Sequence, residues 1–64
     1  MKTDWKIAKN EQGRFAIFRN EVLMKGDVPE KWLAEQLATY GFCGAEFEEI
    51  REKLRQNGIA VVEL

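Results

Sequence analysis

The corner Tyr40-Gly41-Phe42-Cys43-Gly44 limits what this chain can fold into more than any other segment. Its two glycines separate two stretches with helical apolar spacing, so the chain must reverse direction there within a few residues. Before the corner, Leu33, Leu37 and Tyr40 recur at i, i+4 and i+7, with Trp32 widening the stripe. After it, Phe47, Ile50 and Leu54 form a second stripe, which Gly58 stops. The spacing predicts a pair of helices.

Local signals mark where each helix starts. In Asp27-Val28-Pro29-Glu30, Asp27 is placed to act as N-cap, with Glu30 three residues later in capping-box position and Pro29 in the first turn. Gly41 predicts a left-handed cap at the end of this helix. The second helix reads from Cys43 as N-cap, with Glu46 at the third helical position and Phe42 and Phe47 as a hydrophobic staple. Glu49 and Lys53 form a favourable i, i+4 pair on its outer side.

The remainder has strand spacing. Trp5-Lys6-Ile7-Ala8-Lys9 alternates large apolar with small or polar residues. Asn10-Glu11-Gln12-Gly13 reads as a hairpin loop, and Arg14 to Arg19 as the second strand. Asn20-Glu21 serves as a tight turn into a short third strand, Val22 to Lys25, ended by Gly26. Ile59 to Leu64 is a last strand, expected beside the first. Its apolar run suits a central position buried on both faces, or a strand covered by a partner. The expected architecture is a single α+β domain over residues 1–64, in the order β-β-(β)-α-α-β, with an antiparallel sheet carrying the helical pair on one face.

Composition narrows the chemistry. Sixty-four residues with one cysteine and no histidine allow neither an internal disulfide nor a histidine-containing zinc site. A chain this small buries only about 60% of its unfolded surface, so reinforcement is at a premium, and self-association is the form left open. A homodimer is the expectation. Apolar runs such as Ile59–Val62 are far too short to span a bilayer, and Met1–Lys6 has no apolar core of a secretory signal. A lone thiol fits a reducing cytoplasm. Residues 1–25 carry a balance of +3 and residues 26–64 one of −4, a polarity able to steer a partner.

Catalytic and metal readings find little to stand on. Cys43 at a helix start is a candidate nucleophile, but Glu46, Glu48 and Glu49 oppose negative charge there and no histidine can serve as its base. It reads instead as a small buried hydrophobe. The carboxylates of the second helix lack the Asp/Asn/Gly loop that wraps calcium, and Arg51, Lys53 and Arg55 are interleaved among them. The glycines match no phosphate-binding motif. A helix-turn-helix would drive Glu46, Glu48 and Glu49 into DNA phosphates, which opposes major-groove reading by that helix.

The sheet is the surface that points to function. With Phe15 and Ile17 toward the helices, Arg14, Ala16 and Phe18 face away, beside Lys6 and Ala8. The residues therefore predict a non-enzymatic cytoplasmic interaction or regulatory domain without cofactor or metal. It is expected to self-associate or to bind a protein through Trp5, Phe18 and Leu23, with Arg14 and Arg19 at the rim. The alternative is weak binding of single-stranded nucleic acid on a basic, aromatic sheet face. That alternative is set back by the acidic overall balance.

Overall fold

Alternation in the first strands decides which face of the sheet is inside. The computed structural model describes residues 3–63 and places Trp5, Ile7, Phe15 and Ile17 in the core, with Lys6, Ala8, Ala16 and Phe18 on the opposite face. Its elements are β1 (Asp4–Lys9), β2 (Phe15–Arg19), β3 (Val22–Val28), α1 (Glu30–Thr39), α2 (Ala45–Asn57) and β4 (Ile59–Glu63). The four strands form one antiparallel sheet in the order β3-β2-β1-β4, and both helices pack on the same face. The α+β fold and the return of the last strand beside the first are as expected. Leu64, included in the expected last strand, lies outside the described residues.

Asparagines shape both turns of the β1-β2-β3 meander. The Asn10 Oδ1 atom accepts the N–H groups of Gln12 at 2.9 Å and Arg14 at 3.0 Å, and Gly13 supplies the left-handed residue the loop needs. At the second turn Asn20 and Glu21 both have positive φ, +49° and +69°, the signature of a type I′ hairpin. Asn20 also ties the turn to β1: its N–H donates to the Asp4 carbonyl, and its Oδ1 accepts the Asp4 N–H.

Gly41 closes α1 as expected. Its N–H donates to the Ala38 carbonyl, while that of Phe42 reaches back to Leu37 at 2.9 Å, a complete Schellman motif. Leu37 and Phe42 are both fully buried, which supplies the hydrophobic contact the motif favours.

Several expectations need correction. Asp27 does not cap α1. β3 continues through Gly26 to Val28 with a left-handed kink at Asp27, so it is longer than anticipated, Pro29 occupies the cap position, and no side chain bonds the helix start. Asp27 instead adopts φ +56° and pairs with Arg14 at 3.4 Å. At α2 the cap is Gly44 (φ +62°), again without a side-chain bond, and Cys43 is exposed and not buried. Phe42 takes the interior position at this corner, leaving its neighbour outside. Trp32 is 52% exposed, because α1 turns only Leu33 and Leu37 fully inward. β4 is an edge strand whose buried residue is Ala60, with Val62 partly covered. No second helical layer exists among the described residues to bury its other face.

The turn geometry makes a paired prediction. Glu21→Gly should raise stability by up to about 1 kcal/mol, since glycine relieves the left-handed strain. Asn20→Ala should lower it by about 1–2 kcal/mol by removing the bond to Asp4 and an asparagine suited to that backbone. Denaturant midpoints measure both, and a loss of stability in Glu21→Gly would contradict the turn.

Candidate functional site

Two helices cover one face of the four-stranded sheet and leave the other without a layer. One row across that open face runs Leu23, Phe18, Lys6, Val61, with each residue opposite the next on the adjacent strand. A neighbouring row runs Ala16, Ala8, Ile59. Leu23 is 56% exposed, Val61 57% and Ile59 40%, so large apolar side chains stand in solvent from both outer strands. Lys6 stretches over the Phe18 ring, its Nζ 4.8 Å from the centroid, and leaves Phe18 half-buried. The two alanines make the middle of this face low and flat.

The five residues expected to bind a partner are not gathered together. Phe18 and Leu23 are adjacent on the open face. Trp5 is on the other side at 6% exposure, its ring 5.1 Å from that of Tyr40 and 5.2 Å from that of Phe42. Arg19 lies over Trp5, with its guanidinium carbon 5.7 Å from the ring centroid. Arg14 is tied to Asp27 at the end of the sheet. Lys6 is the cation in the row beside Phe18, while Arg19 lies over Trp5 on the core side and Arg14 is paired with Asp27.

Sequence reasoning missed Ile59 and Val61. Four consecutive apolar residues carry no alternation, so the run did not disclose which of them face solvent. Val22 and Met24 are also exposed, at the hairpin end of β3.

Hydrogen-bond parity identifies the free edge of β4. The Lys9 N–H donates to the Gly58 carbonyl at 2.9 Å, making Lys9 and Gly58 a bonded pair. Alternation along the ladder then assigns Ile7 with Ala60 and Trp5 with Val62 to the same class. The backbone N–H and C=O of Ile59 and Val61 consequently point outward, and among the described residues no strand lies beside them. A groove of about 280 Å³ runs along this side, between Val61 and Val62 of β4 and Glu46, Glu49, Ile50 and Lys53 of α2.

A larger groove of about 610 Å³ opens where α1 and α2 meet the far end of the sheet. Phe15, Leu33 and Leu54 line it, and Lys9, Arg51, Glu30 and Glu48 are among the charged residues at its rim. There Arg55 grips Glu52 with bonds of 2.8 and 2.6 Å, and Gln56 adds a third. The Arg55 hydrogen bond, aided by Gln56, lowers the Glu52 pKa below its ordinary 4.5. A general acid near neutral pH needs the opposite shift. Among the described residues no group of Cys, Asp and Glu side chains is placed to hold a metal ion, and no helix is long and apolar enough to cross a membrane.

Compared with known proteins, the chain matches no family, no curated protein and no solved structure. Its surfaces must supply the functional argument.

Two predictions test this geometry. Because the Glu52 pKa is depressed on folding, the stability it contributes is present above about pH 4.5 and is lost as pH falls through the lowered value. Arg55→Ala should move the Glu52 titration back toward 4.5 by NMR, and an unchanged midpoint would refute the pairing. Trp5→Ala should cost about 3–5 kcal/mol, enough to unfold much of so small a domain. Leu23→Ser should stay within about 0.5 kcal/mol of the parent in the same denaturation assay.

Proposed function

We propose that this chain is a non-enzymatic cytoplasmic interaction domain that acts as a homodimer and makes its contacts through the sheet. The observation that carries the reading is the uncovered sheet face, where Leu23, Ile59 and Val61 stand exposed in a chain small enough to gain from a second copy. Apolar groups spread across the width of a sheet, from one outer strand to the other, suit a protein surface better than a small ligand. Phe18 and Leu23 belong to that surface, whereas Trp5 supports it from the core.

The non-enzymatic part is supported by what the grooves hold. In the larger one, Glu52, one of three lining carboxylates, is paired with Arg55, which keeps it ionised and occupied. Cys43, at the helix corner, is exposed, and the chain has no histidine to serve it as a base.

Light scattering across a dilution series tests the reading. Twice the monomer mass of 7.4 kDa is expected at high micromolar concentration, falling toward the monomer on dilution. A monomer throughout that range overturns it.

A further inference from the structure

The two edges of the sheet are built differently. Along β3 the ladder to β2 shifts register twice, once between the Phe15 and Ile17 pairings and once between those of Ile17 and Phe18. Gly26 and the left-handed Asp27 lie in this stretch, and Lys25 adds a charge. Bulges, kinks and lysines are the devices by which edge strands resist pairing with another chain. β4 has none of them. Ile59–Glu63 pairs with β1 in one unbroken register and contains no proline, no lysine and no bulge.

We propose that β4 is the dimer contact, two copies pairing antiparallel, β4 against β4, about a two-fold axis at Val61. The proposal rests on the self-association reading above and specifies the surface that performs it. Each copy's four-stranded sheet becomes half of a continuous one.

Backbone parity favours this arrangement. Residues on a two-fold axis between antiparallel strands must either exchange hydrogen bonds or both turn away. Val61 has its N–H and C=O on the free side, so the two Val61 residues form a bonded pair, and the Ile59 backbone points the same way. The side chains agree with it. Val61, the most exposed residue among the apolar side chains of β4, gains the other copy's Val61 as its cross-strand neighbour, and the cross-strand rows of the two open faces meet at the axis.

One charged pair on α2 is self-complementary under the same operation, although Glu46 and Glu63 also line the groove. α2 lies along β4 beside the groove, so the axis runs it antiparallel to the other copy's α2. Glu49 and Lys53, 3.4 Å apart within one helix, then meet the same pair in reversed order, glutamate toward lysine. Short strands and one helix flank make a small interface, near the lower end of specific association at about 1,200 Å².

The test uses the intact chain and Val61→Pro. Proline is tolerated on an edge strand where the missing N–H points to solvent, so the monomer fold should persist by circular dichroism while the dimer loses both Val61 N–H bonds. The dimer dissociation constant should rise by at least about tenfold. Trp32→Lys, on the exposed side of α1 and away from both sheet edges, should leave it unchanged. Amide exchange of the unmodified chain gives a second readout: protection of the Val61 N–H should increase with protein concentration.

A dimer that survives in folded Val61→Pro, or a Val61 amide that exchanges equally fast at all concentrations, overturns the β4 contact and leaves self-association standing. Loss of the dimer in Leu23→Lys but not in Val61→Pro does the same and moves the contact to the open face. A parent chain that is monomeric removes both readings. Should Val61→Pro fail to fold, the concentration dependence of the Val61 amide decides.

Discussion

The structure depends on Phe42 packing edge-on against Trp5, with ring centroids 5.2 Å apart and planes at 84°. Trp5 stands on an interior strand and Phe42 at the corner between the helices, so one contact joins the two layers. Its backbone makes it doubly constrained, since the Phe42 N–H also closes the Schellman motif of α1. The residue that ends one helix thereby aims the next and seats both on the sheet. Tyr40 adds a second ring against Trp5 from the same turn, and Arg19 covers its outer side.

That arrangement spends both helices on one face. Leu33, Leu37, Ile50 and Leu54 close over Ile7, Ile17 and Ala60, and nothing in the described chain remains to cover the other side. Two short helices on four strands leave such a face open. Its centre is made tolerable in water by small alanines and by Lys6 lying over Phe18, whereas its outer strands carry larger apolar groups. The sheet edges diverge in the same way. One is kinked by bulges and a left-handed aspartate, the other is regular, and this asymmetry gives the self-association reading a direction.

Much of the fold was legible because local rules and tertiary demands agreed. Trp5 and Ile7 alternate with Lys6 and Ala8, and the alternation survives packing. Asn20-Glu21 turns the chain despite lacking glycine, since Asn20 gains two bonds to Asp4 that offset its left-handed backbone. Gly41 and Gly58 end their helices where expected. Asp27 and Cys43 show where local rules fail. Each could cap a helix by type and spacing, but Asp27 is drawn into the ladder of β3 and toward Arg14. Cys43 is turned outward because Phe42, the larger apolar neighbour, takes the buried position. Trp32 is exposed for a related reason: a ten-residue helix lying on a narrow sheet buries a narrow stripe.

The candidate site was half visible. Phe18 and Leu23 could be named once Phe15 and Ile17 were taken as inward, but Trp5 was grouped with them because aromatic type does not reveal facing. Ile59 and Val61 escaped notice because IAVV has no period to read. By itself the sequence determined the order of elements, the turns and the glycines that end the helices, all of which depend on neighbours within a few positions. FAIF, by contrast, has apolar residues on both faces and left its inward side open. Only the tertiary structure decided which strands became edges, which edge was left regular and which apolar residues stayed in solvent. Those outcomes depend on pairing between β1 and β4 from opposite ends of the chain, and on how much sheet two helices can cover.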